Sequence, residues 1–354
     1  MNQSELNNIL GVPTAVDWWP DITDEQYHKK EEGLSSTVLK DYLQDPILSA
    51  QRRLHQIAEA PPPSDDILKS FRIGSAFHCL VLEGDAAFEK NFVVWTGGKR
   101  QGKKWGEFKK ENAVHVANNS VLTQAEHDEV MDLVIPGRQI LQNVFAPYEQ
   151  AGFRAVNRWT EAGLRVALPN GILVKIKMDG GALLKHPERG FLFLVFDAKT
   201  TKDSVTRASL ANFIDDYGYD LSAAMYSSVL QTAGYAFNFV GQGTGQLIPV
   251  VFNLLWVSKG TKMVRYHTLF DTRKDGPWEI GGRTKYLAAL TNYAREGQHI
   301  LNQGKDAAYR ETYAAIETPK WYFKNLEKYN YDLDLLRQQS APESGMRKYL
   351  EGLK

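Results

Sequence analysis

The sequence predicts an α/β fold in which a central mixed sheet is flanked by helices. Three observations support this prediction. Apolar residues recur at helical spacing through much of the chain before about residue 143. Strand-like apolar runs dominate from about 153 to 197, and a helix at about 208–238 separates them from strands at about 247–257 and 263–270. This order of helices, strands, a helix and further strands is typical of a layered α/β domain.

The first helices are predicted from their caps and stops. Ser35 or Ser36 has a side chain suited to cap a helix, and Asp45-Pro46 ends that helix. A second, shorter helix is expected over about 47–58, before a run of three prolines that forms a stiff linker. The residues before about 30 are polar and show no clear period, so we expect a loosely packed lead-in there.

Two longer helices are predicted downstream. Apolar residues at helical spacing indicate a helix over about 67–84, and His78 lies on it. Thr123 and Glu126 stand at the spacing of a capping box, so a long helix is expected to begin there and to run to about residue 143. A long amphipathic helix is expected over about 279–313.

Two apolar runs in the middle of the chain each end in acidic residues. The first alternates from Val174 onward as a half-buried strand does, which places Asp179 on the polar face. The second, at 191–196, is almost continuously apolar, as in a central strand covered on both sides. Asp197-Ala198-Lys199 follows it directly, and its two charged side chains should share one face while the alanine points away.

Adjacent strands that deliver Asp179, Asp197 and Lys199 to one place outline a site for metal-dependent hydrolysis. Carboxylates hold Mg²⁺, and a lysine beside the metal can steady an attacking water or the charge that develops on phosphorus. The pattern alone also fits two solvated acids at strand ends and an exposed lysine that neutralises Asp197.

Composition narrows the class of protein. The chain has 354 residues, 42 of them basic and 42 acidic, with 43% hydrophobic content, which suits one large domain with or without appendages. The zero net charge excludes a globally basic DNA-coating protein. The single cysteine, Cys79, excludes an intramolecular disulfide and indicates a reducing compartment. No apolar stretch reaches membrane-spanning length and no signal pattern is present, so we expect a cytoplasmic protein.

A basic stretch, Lys99–Lys110, follows a short predicted strand at 92–95. It holds six cations and one acid. Three aromatic residues lie in or just before it, which fits a surface that contacts phosphates and stacks bases, although a solvated loop is an equally simple interpretation. The stretch nearly spells a phosphate-binding loop, but Lys104 stands where the Mg²⁺-binding hydroxyl belongs, which argues against nucleotide binding.

Several motifs together resemble exonuclease VIII, the RecE-type recombination nucleases of prophages. Asp179 followed by Asp197-Ala198-Lys199 looks like the PD-(D/E)xK nuclease signature, and Phe71–Glu83 contains the Gly-Ser-Ala-Phe-His-Cys-Leu stretch in the expected order upstream. The resemblance runs from about Gly33 to Tyr329. Its other segments are Leu34–Leu39 with Asp45-Pro46, Gly171–Leu173, Thr200-Thr201, Tyr217-Gly218-Tyr219, Tyr226 and Thr318–Trp321.

This resemblance implies a restriction-endonuclease-like PD-(D/E)xK core. It implies a nuclease domain over 33–329, between a lead-in at 1–32 and a tail at 330–354. The implied activity is that of a Mg²⁺-dependent exodeoxyribonuclease, with Mn²⁺ as an alternative ion, that degrades linear double-stranded DNA from the 5′ end. In the family, subunits form a homo-oligomeric ring that duplex DNA threads, and the 3′ single strand passes to an annealing recombinase.

The resemblance also assigns roles to single residues. Asp179, Asp197 and Lys199 are the implied catalytic residues; His78, Asp179, Asp197 and the carbonyl of Ala198 are the implied metal ligands. Without the resemblance, a lone histidine on an apolar helix face would be interpreted as a hydrogen-bonded core residue. The expected DNA-binding residues are Lys99, Arg100, Lys103, Lys104, Lys177, Tyr217, Tyr219, Ser222 and Tyr226.

Two positions depart from the family's pattern. Ser222 stands where the family has a glutamine, one helical turn before Tyr226, and serine has a shorter reach. Arg154 stands where many relatives have a glutamate that supports the metal region, unless the alignment slips there. These departures predict altered metal or substrate handling, or a catalytically impaired DNA-binding or recombination-partner module with the same fold. Endonucleolytic or RNA-directed cleavage is a third interpretation.

Overall fold

The computed structural model describes residues 15–19, 22, 26–27, 33–54, 63–202, 205–237 and 247–297. The predicted C-terminal tail at 330–354 and the segment Thr318–Trp321 lie outside the described residues. So does the second half of the helix predicted over about 279–313.

The described elements follow one another in this order. The N-terminal part contains β1 (Ala15–Trp19), α1 (Ser36–Gln44), α2 (Pro46–Arg53), α3 (Asp65–His78), a π-helical turn (Cys79–Glu83), α4 (Asp85–Asn91), β2 (Val93–Trp95), α5 (Gly102–Glu111), α6 (Ala113–Ala117), β3 (Val121–Thr123) and α7 (Gln124–Gln150). The remainder contains β4 (Arg154–Ala167), β5 (Leu173–His186), β6 (Gly190–Thr201), α8 (Arg207–Asp216), α9 (Tyr219–Phe237), β7 (Val250–Ser258), β8 (Val264–Asp271), α10 (Pro277–Asn292) and a second π-helical turn (Tyr293–Gly297).

Six strands form a central sheet in the order β1-β4-β5-β6-β7-β8. Strands β6 and β7 are parallel, whereas the other neighbouring pairs of this sheet are antiparallel. Strands β2 and β3 form a separate parallel ribbon. The predicted α/β class with a helix-flanked mixed sheet is confirmed.

Two apolar cores lie on the two faces of this sheet. The first core packs the sheet against α1, α8, α9 and α10, and the second packs it against α3 and α7. Strand β6 contributes side chains to both cores, because Phe193 and Val195 belong to the first core and Leu194 and Phe196 belong to the second. Burial on both faces explains why this strand is apolar almost without interruption.

The predicted helix starts are confirmed by their caps. Ser35 Oγ accepts a hydrogen bond from the backbone N–H of Val38 at 3.3 Å, which begins α1. Thr123 and Glu126 form both hydrogen bonds of a capping box at the start of α7. That helix continues to Gln150, past the expected end near residue 143.

Several predicted boundaries are wrong. The lead-in contributes an edge strand, β1, which pairs with β4 although its five residues are too few to reveal a period. The strands expected at about 153–160 and 164–168 are one long strand, β4. The helix expected at about 208–238 is interrupted at Gly218, whose φ of +59° lies in the left-handed region that favours glycine. None of the described helices combines the length and apolar composition that crossing a membrane requires.

Candidate metal centre

The candidate site lies where strands β5 and β6 separate. The two strands pair from His186 and Gly190 up to Gly180 and Phe196. Beyond that point, among the strands of this sheet, β5 keeps only its pairing with β4, and β6 keeps only its pairing with β7. Asp179 and Asp197 are therefore the first residues past this fork, one on each strand.

The N-terminal segment lines the open edge of β5 inside the fork. Leu34 donates its backbone N–H to the carbonyl of Leu173 at 2.8 Å, and its own carbonyl accepts from the N–H of Lys175 at 2.9 Å. The start of α1 is thereby fixed beside the fork. The motif around Leu34 and Ser35 thus has a structural reason to lie near the acidic residues.

Strand β4 carries a further acidic residue, Glu161, opposite Asp179. Ala162 and Met178 pair across β4 and β5, and both pack in the first core. The next pair of the ladder, Thr160 and Gly180, faces the second core beside Phe196. Both strands therefore change face at Glu161 and Asp179. Glu161 has φ +48°, a conformation that costs a non-glycine residue about 1–3 kcal/mol and is often found at functional sites.

Glu161, Asp179 and His78 place their ligand atoms within 4.8 Å of one another. His78, at the end of α3, directs Nδ1 toward Asp179 Oδ2 at 3.5 Å and Nε2 toward the carbonyl oxygen of Ala198 at 2.6 Å. The same Asp179 oxygen accepts a hydrogen bond from the N–H of Ala198 at 2.8 Å. The structure thus brings together His78, Asp179 and the Ala198 carbonyl, and it adds Glu161.

This set of donor atoms fits a divalent cation. Burial lowers the pKa of His78, and the charge of Lys199 lowers it further, so the imidazole is neutral and has one N–H. Both ring nitrogens face oxygen atoms, so the nitrogen without hydrogen directs its lone pair at another lone pair. A shared cation removes this repulsion, and carboxylate and carbonyl oxygens are ligands that Mg²⁺ prefers.

Asp197 and Lys199 form an ion pair beside the cluster. Lys199 Nζ lies 2.5 Å from Asp197 Oδ1, on the face opposite Ala198, which is buried in the second core. Burial raises the pKa of Asp197 to about 7; Lys199 opposes this shift and Asp179 adds to it. Burial alone would lower the pKa of Lys199, but the Asp197 and Asp179 carboxylates raise it above its ordinary value. Lys199 therefore stays protonated at neutral pH.

Glu161 is the acidic residue that sequence analysis missed. Arg154, the position compared with the family's supporting glutamate, lies exposed at the start of β4, where its Nη1 donates to the carbonyls of Glu149 and Phe153. The arginine is thus held at the start of β4, away from the cluster that Glu161 joins. Glu161 lies further along the same strand and forms an ion pair with Lys177. The sequence signal was the interruption between the two strands expected at about 153–160 and 164–168.

Two of the predicted tyrosines, Tyr217 between α8 and α9 and Tyr219 at the start of α9, differ in exposure. Lys199 Nζ lies 5.8 Å from the centroid of the Tyr219 ring, which places that ring in the site. Burial raises the pKa of Tyr219 to about 12. Tyr217 is 59% exposed, and its ring is tilted against that of Phe213 with centroids 6.2 Å apart, so much of the ring is accessible at the surface.

Ser222 and Tyr226 are oriented inward on α9. Ser222 is buried, and its hydroxyl donates to the carbonyl of Gly218 at 3.4 Å. The Tyr226 ring packs against Phe252, with ring centroids 5.7 Å apart, and burial raises the pKa of its phenol. The serine hydroxyl thus bonds to the residue that precedes its own helix, and the side chain is buried rather than presented at the surface.

The aromatic residues near the basic stretch pack on one another. Trp95 is buried, and its ring centroid lies 5.3 Å from that of Trp105 and 4.9 Å from that of Phe108. Trp105 and Phe108 are stacked with centroids 5.5 Å apart. These rings form a small core beneath α5, so the expected base stacking is wrong for Trp95.

The predicted DNA-binding cations fall into two groups. Lys99, Lys103 and Lys104 are exposed on or beside α5. Arg100 instead donates to Glu126 Oε2 at 3.0 Å and to a backbone carbonyl at 2.6 Å, so it belongs to a structural network. Lys177 is likewise engaged, in its ion pair at the fork.

No protein-family model matches the chain, and no curated protein matches it at a significant level. What this chain does is therefore inferred from the contacts at the fork. These contacts are the cluster of metal-ligand atoms, the Asp197–Lys199 ion pair beside it, and the ion pair of Glu161 with Lys177.

Proposed function

We propose that this protein is a Mg²⁺-dependent exodeoxyribonuclease with a PD-(D/E)xK core, which degrades linear double-stranded DNA. The observation that carries the proposal is the convergence of His78, Glu161 and Asp179 beside the Asp197–Lys199 pair. Solvated acids at strand ends would not be expected to share one half-buried position with a histidine from a distant helix. Four elements contribute to this one position, which supports a catalytic site.

The residues that would hold the ion are His78, Glu161, Asp179 and the Ala198 carbonyl, with Asp197 adjacent to Asp179. The ion would polarise the scissile phosphate and lower the pKa of the attacking water. Mn²⁺ accepts the same nitrogen and oxygen ligands.

Lys199 supplies a fixed positive charge beside this position. Its raised pKa keeps the ammonium group protonated, so Nζ can donate hydrogen bonds to the attacking water and to the phosphate oxygens. The ion pair with Asp197 restricts where Nζ lies, which reduces the entropy lost when water and phosphate are aligned. Tyr219 covers one side of this ammonium group.

The substrate and its handling follow the family resemblance. Exposed Lys99, Lys103 and Lys104 would contact DNA phosphates, and Tyr217 would contact the strand near α9. Digestion from the 5′ end would leave a 3′ single strand for an annealing recombinase. A homo-oligomeric ring around the duplex would keep the enzyme on its substrate.

Digestion of end-labelled linear duplex DNA tests the activity. We expect nucleotide release from linear duplex in Mg²⁺, none in EDTA, and no cleavage of closed circular duplex. Labels at the 5′ and 3′ ends report the polarity, and Lys199→Ala is the matched inactive control. Failure of the wild-type protein to release nucleotides in both Mg²⁺ and Mn²⁺ would refute the proposal.

A catalytically impaired DNA-binding or recombination-partner module is the second candidate. Ser222 favours it, because its hydroxyl bonds to the carbonyl of Gly218, just before α9, and position 222 has no amide one turn before Tyr226. Arg154 no longer supports it, because Glu161 occupies the acidic position at the fork. Protein that binds linear DNA but releases no nucleotide in either metal would support this module.

A further inference from the structure

Lys40 is a further cation near the site, and the proposed chemistry does not use it. It lies on α1, the helix whose start is fixed beside the fork, and it is half-buried. Its Nζ lies 5.3 Å from the centroid of the Tyr219 ring, the same ring that Lys199 approaches at 5.8 Å. Two ammonium groups from different elements therefore share one tyrosine.

The aliphatic part of Lys40 is held by its neighbours. A Cβ atom on Gly218 would lie 3.3 Å from Lys40 Cε and 3.4 Å from Cδ, so the glycine leaves room for the lysine stem. The left-handed φ of +59° at Gly218 also favours glycine there. The packing positions the ammonium group and limits the rotamers that Lys40 can adopt.

The charge of Lys40 lacks a hydrogen-bonded acid among the described residues. Burial lowers its pKa to about 8; Asp197 opposes this shift, and Lys199 adds to it. The carboxylates of Asp197, Asp220 and Asp41 act on Lys40 only through space. By contrast, Lys199 is in direct contact with Asp197. Desolvated charges in proteins are normally paired, so an anion that arrives with the substrate is the natural partner for Lys40.

We propose that Lys40 binds a phosphate group of the DNA strand next to the phosphate held at the fork. This inference rests on the proposed nuclease site and adds a second anion position to it. The ligand is a phosphate oxyanion, either the terminal phosphate of a 5′ end or an internal phosphodiester. Both positions border the Tyr219 ring, with Lys199 at the first and Lys40 at the second.

The test measures equilibrium binding of a short fluorescent linear duplex in EDTA, where cleavage does not interfere. The variants are Lys40→Met, Lys40→Arg and, as a control, Lys90→Met, which alters an exposed lysine on α4. We expect Lys40→Met to weaken binding about tenfold and to reduce the salt dependence by about one phosphate contact. Lys40→Arg should bind within about twofold of the wild type, as should Lys90→Met. Thermal melting checks the fold, and Lys40→Gln replaces any methionine variant that fails to fold.

Two duplexes, with a 5′ phosphate or a 5′ hydroxyl, identify the group that Lys40 binds. If Lys40→Met loses affinity only for the phosphorylated duplex, Lys40 binds the terminal phosphate. If it loses affinity equally for both duplexes, Lys40 binds an internal phosphodiester. Unchanged affinity and salt dependence in folded Lys40→Met would overturn the inference and make Lys40 structural. Absence of DNA binding by the wild-type protein would also overturn the inference. A Lys40 effect on binding in a protein without nuclease activity would keep this inference and refute the exonuclease.

Discussion

The fork between β5 and β6 and the basic stretch Lys99–Lys110 both carry charged side chains, but they hold them differently. At the fork, the side chains of Asp197 and Lys199 are 14% and 30% exposed and lie in direct contact. In the basic stretch, the side chain of Lys103 is 91% exposed, and its neighbouring acid is 3.8 Å away. Exposed ion pairs contribute about 0–1 kcal/mol, whereas removing one partner of a buried pair leaves an uncompensated charge.

This difference separates residues that are chemically specific from residues that contribute only charge. A half-buried group acts through its position, so even a conservative change is expected to be costly. An exposed lysine acts through its charge, so a neighbour can replace it. Arg100 shows that sequence position does not decide the class, because it lies in the basic stretch but binds the buried Glu126.

The largest effect is expected at the ion pair of the fork. Asp197→Ala and Lys199→Ala should each reduce nuclease activity by at least about a hundredfold, because the positioned charge beside the phosphate is lost. Circular dichroism and thermal melting should show a folded protein. Wild-type rates of duplex digestion by either variant, at matched purity, would contradict the assigned roles.

Glu161 and Arg154 offer a matched comparison on one strand. Glu161→Gln should weaken Mg²⁺ or Mn²⁺ binding by about 10–100-fold, because a charged ligand becomes neutral. Arg154→Gln should leave metal binding unchanged, because the arginine is exposed and bonds to carbonyls near the start of β4. Titration calorimetry measures both. An equal loss of metal affinity in the two variants would show that Glu161 is not the metal ligand on this strand.

The raised pKa of Asp197 predicts proton-linked metal binding. Its pKa is raised from 3.8 to about 7, so the metal-free folded protein holds a proton that the unfolded chain releases. Asp197 therefore contributes to the stability of the metal-free folded protein below about pH 4, and this contribution is lost as the pH rises toward 7. Metal binding requires the carboxylate, so affinity should fall about tenfold per pH unit below 7. Calorimetry at about pH 6 and about pH 8 measures this, and a flat profile would argue against participation by Asp197.

The smallest effects are expected in the basic stretch, and there the two classes should separate. Arg100→Ala should lower the free energy of unfolding by about 1–3 kcal/mol, because Glu126 loses a buried hydrogen-bond partner. Lys104→Ala should change it by less than about 0.5 kcal/mol and weaken DNA binding only a few-fold, less in high salt. Chemical denaturation and binding assays measure these quantities. Equal destabilisation by both changes would show that the distinction fails.

Sequence patterns predicted the parts of this molecule that depend on local rules. Ser35 and Thr123 are recognisable as caps because a cap contacts residues three positions away. Asp197 and Lys199 share a face because side chains alternate along a strand. Glu161 was missed because it stands where that alternation breaks in β4 and β5 together, so no regular period identifies it.

The amino-acid sequence by itself determined the α/β class, the two strands that end in acidic residues, and the position of His78 on a helix. The tertiary structure alone decided that these strands separate at Gly180 and Phe196 and that α3 brings His78 to the gap. It also decided that Glu161 rather than Arg154 faces that gap. The physical reason is that propensity and periodicity act between near neighbours, whereas a desolvated cluster of charges is assembled by contacts among residues far apart in the chain.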